Sequence, residues 1–176
     1  HFTRLLNGLC MPELPEVQTV VTQLGQKLVG KTFAGFWSDW DRKTLPSSAA
    51  ILCGIQGAVV CGTRRMGKHI VIDLSNERSL VIHLKMTGHL LYKTDENRMS
   101  YAFTKDRYNG YIHHIFTFSD TSTLEFSDMR KFGWVMLVET DQVERLPSIS
   151  LLGIDALSLK FTPDFFAKLL LQRGQR

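Results

Sequence analysis

Residues 58–92 read AVVCGTRRMGKHIVIDLSNERSLVIHLKMTGHLLY, and this stretch decides the fold. Four short β runs lie inside it, Ala58–Thr63, His69–Leu74, Ser79–Leu84 and His89–Tyr92. The turn signals Ser75-Asn76-Glu77 and Met86-Thr87-Gly88 punctuate them. Working outward, Thr32–Trp40 precedes them as a further β run. Tyr111–Ser119, Thr123–Ser127 and Trp134–Glu139 come after, with Ser119-Asp120-Thr121 as another turn. Many short strands without intervening helices predict an antiparallel sandwich or barrel.

Upstream the period changes. Leu14, Val17, Val20, Val21, Leu24 and Leu28 recur at helical spacing, so an amphipathic helix is expected over roughly 14–28. Pro12 and Pro15 suit its lead-in and first turn, and Gly30 its stop. Downstream, Lys93–Asn109 is polar and reads as a mobile loop, and Leu151–Ser158 as a linker or short turn. Thr162-Pro163-Asp164 then starts a helix: a cap, a proline for the first position and an acid for the positive dipole end. Phe165, Phe166, Leu169 and Leu170 make its apolar stripe. The expected class is therefore mainly β with flanking α. An antiparallel β-sandwich carries an amino-terminal amphipathic helix and leads into the start of a helical domain.

The sequence has 176 residues, 44% hydrophobic and 22% charged, which excludes global disorder. Its mean hydropathy is −0.06, and no stretch approaches the roughly 20 apolar residues of a membrane span. Cys10, Cys53 and Cys61 are too few for a disulfide scaffold. None forms a C-x-x-C pair, so a zinc site within the chain is not expected. Twenty-one Lys+Arg against 17 Asp+Glu gives +4, which permits a nucleic-acid partner without establishing one. Residues 1–10 are short and unpatterned, a poor secretory signal, and are expected to be a disordered or non-native extension ahead of Met11.

Four clusters could carry chemistry. They are Met11-Pro12-Glu13-Leu14-Pro15-Glu16, Arg64-Arg65-Met66-Gly67-Lys68-His69, His83-Leu84-Lys85-Met86-Thr87-Gly88 and Ser127-Asp128-Met129-Arg130-Lys131-Phe132-Gly133. Lys and Arg hold phosphates, while Met or Phe wedges fill the gap left when a base leaves the stack. Taken singly, each cluster also reads as an ordinary solvated loop or core residue. His113 and His114 are adjacent, face opposite sides of a strand and read as structural. Trp37, Trp40 and Trp134 read as packing residues, and Cys53 and Cys61 as core or surface thiols.

Met11-Pro12-Glu13-Leu14-Pro15-Glu16-Val17 resembles the amino terminus of bacterial formamidopyrimidine-DNA glycosylases. The other three clusters, and Leu152-Gly153-Ile154-Asp155-Ala156-Leu157, resemble that family's motifs in the same order. The likeness runs from Met11 to about Arg173. It implies a catalytic β-sandwich over 11–150, then over 151–176 a linker and the first helix of a truncated helix–two-turn–helix domain. The family's four-cysteine zinc finger has no counterpart in this sequence. No cofactor is expected within the chain, and one zinc is expected in that carboxy-terminal part.

The resemblance assigns roles by position. Pro12, freed by removal of Met11, is the nucleophile: its secondary amine attacking the sugar C1′ gives an iminium ion that drives elimination of the 3′ and then the 5′ phosphate. Glu13 is the general acid and Glu16 a supporting acid. Lys68 contacts the lesion and its phosphate, and His83 a phosphate. Met86, Arg130 and Phe132 fill the void in the duplex, with Lys131 beside them. Lys131 stands where many members have Arg, Met129 where many have Pro and Lys85 where many have Gly.

The implied activity is excision of oxidised purines (formamidopyrimidine, 8-oxoguanine) from duplex DNA, with abasic-site lyase activity by β,δ-elimination. The expected partner is double-stranded DNA carrying oxidised bases or abasic sites. The expected state is a monomer in the bacterial cytoplasm, nucleoid-associated through DNA. Two alternatives stay open. One is an endonuclease VIII-like enzyme for oxidised pyrimidines, against which Leu14 speaks, because Gly is usual there in that group. The other is a DNA-binding fragment without catalysis, because a Pro12 nitrogen held in an amide cannot form an iminium.

Overall fold

A computed structural model of the protein describes residues 12–173. The expected extension over 1–10, and Met11, lie outside the described residues. Helix α1 (Leu14–Leu28) follows the apolar spacing, and its Val17, Val20, Val21, Leu24 and Leu28 are buried. It ends at Gly30, whose φ of +86° is open to glycine at little steric cost. Nine strands come next among the described residues: β1 (Phe33–Ser38), β2 (Thr44–Leu45), β3 (Val60–Met66), β4 (His69–Leu74), β5 (Arg78–His83), β6 (His89–Lys93), β7 (Ile112–Phe118), β8 (Thr123–Ser127) and β9 (Trp134–Glu139). One sheet has the order β1-β7-β8-β6 and the other β2-β9-β5-β4-β3. Neighbours are antiparallel except for the two-residue pairing of β2 with β9.

The main core joins the two sheets and α1. Phe33, Phe116, Phe118 and Phe126 belong to one buried cluster with Ile70, Ile72, Leu80, Ile82 and the apolar face of α1. On the other face of the second sheet, Val71 and Val81 pack with Val143 and Ile149. Strands β4 and β5 are therefore covered on both sides, which is why each reads as a nearly continuous apolar run. Burying a Val, Leu or Ile side chain is worth about 1.5–3 kcal/mol, so these two central strands anchor the second sheet.

Several readings need correction. Helix α2 (Ser48–Ile55) sits among the strands, capped by the Ser47 hydroxyl, which accepts from the Ala50 N–H at 3.2 Å. Its sequence SAAILCGI is apolar without a period, so periodicity alone could not place it. The polar stretch expected as a mobile loop is folded: it holds the short helix α3 (Tyr101–Thr104) and a single 3₁₀ turn, and buries Phe103 and Asn109. Asn109 Oδ1 lies 3.0 Å from His89 Nε2, and its Nδ2 donates to the Phe103 carbonyl at 3.1 Å. A bulge between Ile112 and His114 breaks the strict alternation, and both His113 and His114 are buried. Trp37 is 51% exposed and is not a packing residue. Cys53 and Cys61 lie at the surface.

Beyond β9 come α4 (Pro147–Ser150), the turns of 151–158 and α5 (Pro163–Arg173). The Thr162 hydroxyl accepts from the Phe165 N–H at 3.2 Å, the cap read from the sequence. Phe165, Phe166 and Leu170 of α5 are exposed. No helix among the described residues is long and apolar enough to cross a membrane.

His114 links this core to pH. Its Nδ1 lies 2.9 Å from the Ser38 hydroxyl. Burial first, then the neighbouring His113, pushes its pKa from 6.5 down to about 4. Above pH 6.5 neither the folded nor the unfolded ring carries the proton; below it only the unfolded ring does, until about pH 4. Stability should therefore fall with acidification across that window, by about 3 kcal/mol from this residue if the window is fully crossed. Urea unfolding at a series of pH values measures it. His114→Gln, which cannot titrate, should flatten that part of the slope.

Candidate active site and nucleic-acid interface

Strands β3 and β4 meet in a two-residue turn, Gly67-Lys68, with Met66 paired to His69. Gly67 has φ +57°, as the first central position of a II′ hairpin turn requires. A Cβ there would also come within 2.7 Å of Leu152. The turn presents Lys68, whose Nζ lies 2.5 Å from Glu13 Oε2 at the head of α1. The Glu13 backbone N–H donates to Glu16 Oε2 at 3.1 Å. Glu16 thus ties down the first turn of α1 rather than joining the Glu13–Lys68 pair. Pro12, just before Glu13, is buried.

Arg65 locks this corner. Its guanidinium donates to Gln18 Oε1 on α1 at 2.9 Å, to the Gly67 carbonyl at 2.9 Å and to Asp155 Oδ2 at 2.5 Å. The Arg65 side chain is only 5% exposed, so these bonds are made largely out of water. Helix α1, the hairpin bearing Lys68 and the segment after the sandwich are held by one side chain.

Beside the Glu13–Lys68 pair opens a cleft of about 360 Å³, lined among others by Leu14, Lys68, His69, His83, Trp134 and Leu152. His83 ends β5, and its Nδ1 accepts from the Lys85 N–H at 3.0 Å, which fixes the proton on Nε2. Burial, then His69, Lys85 and Lys68, hold His83 far down, at about 3, so the ring is neutral at pH 7.

The chain continues from His83 into the β5–β6 loop, where Met86 is 37% exposed. The loop between β8 and β9 meets it there. Arg130 Nη1 lies 3.3 Å from Met86 Sδ, and the guanidinium stands 4.7 Å from the centre of the Phe132 ring. Phe132 is 44% exposed. The structure thus brings Met86, Arg130 and Phe132 into one cluster. Lys131 stands apart from it, its Nζ over the Trp40 ring at 4.4 Å. Lys85 and Lys131 both have left-handed φ, 56° and 55°. For residues with a Cβ this costs about 1–2 kcal/mol each, and it explains why glycine suits the Lys85 position.

Residues 11–135 match the formamidopyrimidine-DNA glycosylase N-terminal domain family. The chain belongs to this family. It is 35% identical over 167 residues to the formamidopyrimidine-DNA glycosylase of Pelotomaculum thermopropionicum, a match covering 94% of this chain and 57% of that protein. It is 32% identical to that of Protochlamydia amoebophila, covering 93% of this chain and 55% of that protein. The chain therefore spans little more than half the length of these relatives. Its fold is similar to Lactococcus lactis formamidopyrimidine-DNA glycosylase non-covalently bound to DNA containing an abasic site. That match has TM-score 0.75 and 25% identity, and covers 90% of this chain and 57% of that one. It is also similar to MutM in complex with DNA containing carbocyclic 8-oxo-G, with TM-score 0.65 and 28% identity over 76% of this chain and 47% of that one.

Asp128 stands in the fourth cluster, and the resemblance assigns it no role. It is buried, and its carboxylate accepts from the Gly133 N–H at 2.7 Å, from the Arg130 N–H at 3.2 Å and from the Thr87 hydroxyl. Its own N–H donates to the Tyr111 carbonyl at 2.9 Å. One carboxylate thus folds the Arg130–Phe132 loop and ties it to the Met86 loop. An aspartate leading a Met-Arg-Lys-Phe-Gly loop is a signal for such a turn. Arg65 carries no role in the sequence and Trp134 reads there as packing; the fold shows Trp134 at the cleft and Arg65 beneath the hairpin.

Replacing Asp128 by Ala strands these donors and should cost about 2–4 kcal/mol. Asp128→Asn keeps one acceptor oxygen and should cost about half as much. Urea unfolding of the three proteins measures the difference.

Proposed function

We propose that this chain is the chemistry-bearing, amino-terminal part of a DNA repair glycosylase with abasic-site lyase activity, acting on oxidised purines in duplex DNA. The observation that carries the reading is the junction of two groups at one end of the second sheet. The Glu13–Lys68 pair stands beside a cleft, and the loop that leaves the cleft at His83 bears Met86, which meets Arg130 beside Phe132. Acid and base chemistry beside a cleft, next to an exposed basic-apolar cluster, suits an enzyme that extrudes a base and acts on its sugar.

In this reading the Pro12 nitrogen, freed from its amide bond to Met11, attacks C1′ with its lone pair. The glycosidic bond breaks, and the base leaves with the bonding electrons and takes up the proton that the Pro12 nitrogen gives up. Glu13 protonates the ring oxygen as the sugar opens, leaving an iminium ion joined to Pro12. Loss of a C2′ proton sends electrons into that ion and expels the 3′ phosphate; a further elimination expels the 5′ phosphate. Lys68, already held against Glu13, supplies positive charge to the lesion's phosphate, and the His83 Nε2–H serves the phosphate as a neutral donor. Met86 and Phe132 occupy the vacated stack, with Arg130 offering donors to the orphaned base. Glu16 acts by holding the turn that carries Glu13.

The protein is proposed to act as a monomer in the cytoplasm. The family's zinc is assigned to a segment outside this sequence. Among the described residues no three His, Cys, Asp or Glu side chains gather as a metal site.

A second reading is DNA binding without cutting, which holds where Pro12 stays peptide-linked to Met11 and its nitrogen is an amide. Borohydride trapping on abasic duplex separates the two. Protein beginning at Pro12 should form a covalent adduct, and protein retaining residues 1–11 should not; equal adduct from both would defeat the nucleophile assignment. For the duplex, Arg130→Ala with Phe132→Ala should weaken binding of an abasic-site duplex by about tenfold or more, as loss of a phosphate or stacking contact worth about 1–3 kcal/mol predicts. Fluorescence anisotropy measures it, and unchanged affinity would remove these residues from the interface.

A further inference from the structure

The stretch between β6 and β7 carries charge that the proposed chemistry does not use. Lys105 and Arg107 are both exposed there. Lys105 Nζ stands 4.9 Å from the centre of the Tyr101 ring, and the Arg107 guanidinium 5.0 Å from that of Tyr108. Arg107 Nη2 also donates to the Tyr108 hydroxyl at 3.1 Å. Among the described residues no carboxylate holds either cation in an ion pair. Asp106, between them in sequence, turns its carboxylate to the Tyr108 N–H at 3.0 Å, and Asp95 pairs with Arg98 at 2.8 Å. A cation resting on a ring keeps its charge available to an anion. The stretch is also held in place, because Phe103 and Asn109 are buried beneath it.

Its place in the fold decides what it meets. The Ser127 hydroxyl donates to the Tyr108 carbonyl at 2.6 Å, and the Asp128 N–H to the Tyr111 carbonyl at 2.9 Å. The stretch is thus bonded to the residues that lead into the Arg130–Phe132 loop. Lys68, His83 and Trp134, at the cleft, belong to the second sheet and its hairpin, whereas β6, β7 and β8 form the first sheet with β1. The β5–β6 and β8–β9 loops cross from one sheet to the other and carry Met86, Arg130 and Phe132 on the way. The exposed cluster therefore stands between the cleft on one side and Lys105 and Arg107 on the other. A duplex whose turned-out nucleotide enters the cleft sets the lesion-bearing strand on the side of the second sheet. Its other strand then runs on the side of the first sheet, where two exposed cations face its phosphates.

We propose that Lys105 and Arg107 hold phosphates of the strand opposite the lesion. The proposal rests on the DNA reading above and adds to it a contact with the strand that the cleft does not take.

The test follows binding of a duplex bearing a tetrahydrofuran abasic analogue, by fluorescence anisotropy, over a series of salt concentrations. Lys105→Gln with Arg107→Gln removes both charges. It should lower affinity about tenfold or more at roughly 0.1 M salt, and flatten the slope of log affinity against log salt by about 1.8, two phosphates at about 0.9 each. Lys105→Arg with Arg107→Lys keeps both charges and should keep the slope. On the analogue-bearing strand alone, the neutral variant should bind as the unsubstituted protein does. The same equality should hold on a duplex whose opposite strand carries uncharged methylphosphonate linkages facing the analogue. With those linkages moved to the analogue-bearing strand, the loss should persist. An unchanged slope, an equal loss on the single strand, or a loss that survives neutralising the opposite strand each overturns the proposal. If the unsubstituted protein binds no duplex, the DNA reading fails and this one with it, a pattern distinct from the other three. Should the neutral variant not fold, the unsubstituted protein decides. Methylphosphonates on the opposite strand should weaken its binding and flatten its slope; unchanged affinity there overturns the contact.

Discussion

A buried carboxylate leaves a loop few ways to fold. Charge out of water is costly unless its lone pairs are used, and Asp128 uses its own on Gly133, Arg130 and Thr87. Two of those donors are backbone N–H groups of the loop that carries Arg130 and Phe132. The third belongs to the loop that carries Met86. The exposed cluster is therefore set from below by a residue that water does not reach. Gly133 completes the constraint, because a Cβ there would come within 2.4 Å of the Phe126 ring. The core phenylalanine dictates how closely the loop can approach, and the carboxylate dictates its shape.

Arg65 does for the other half of the site what Asp128 does for the cluster. Its fork joins α1, the hairpin turn and Asp155. The geometry of Lys68 against Glu13 thus depends on three segments that are distant in sequence. A guanidinium suits this work because its donors are coplanar and fixed, where an ammonium would need rotamer freedom frozen for each bond. Leu152 on Gly67 adds an apolar stop on the same turn. The segment after the sandwich is therefore fastened at the cleft, through a polar contact at Asp155 and an apolar one at Leu152.

Strands and α1 were legible because their apolar period is a local property. The continuous runs of β4 and β5 also said more than strand: they are long in apolar residues because a second cluster around Val143 and Ile149 covers their outer face. What failed to show had non-local causes. Helix α2 is apolar all round, and Lys93–Asn109 is polar with its anchors, Phe103 and Asn109, tied by a contact to His89 on another strand. The bulge at His113 cannot be inferred from alternation, since it is where alternation stops. The site is subtler still. Glu13 and Lys68, or Met86 and Arg130, are far apart in sequence, and only likeness to a family suggested them together. His69 stood in a basic cluster without a role of its own, because an unsatisfied nitrogen exists only once the surroundings that fail to satisfy it are built.

A net charge of +4 is modest for a protein proposed to grip DNA, and the fold makes it count by choosing where charge is cancelled. Away from the site, four cations meet carboxylates: Arg64 with Asp73, Arg78 with Glu139, Lys93 with Glu125, Lys31 with Asp120. In the exposed loop between β8 and β9 they meet rings instead, Arg130 on Phe132 within the cluster and Lys131 on Trp40 apart from it. An exposed cation on a ring is worth about 0.5–1 kcal/mol, enough to bias a long side chain toward one region and little to give up. With a ring as partner, the cation's field is not cancelled by a paired anion, so a phosphate approaching that end of the sheet meets it without displacing a carboxylate. At the cleft two cations are paired to carboxylates instead, Lys68 with Glu13 and Arg65 with Asp155, and these pairs fix the geometry of the corner.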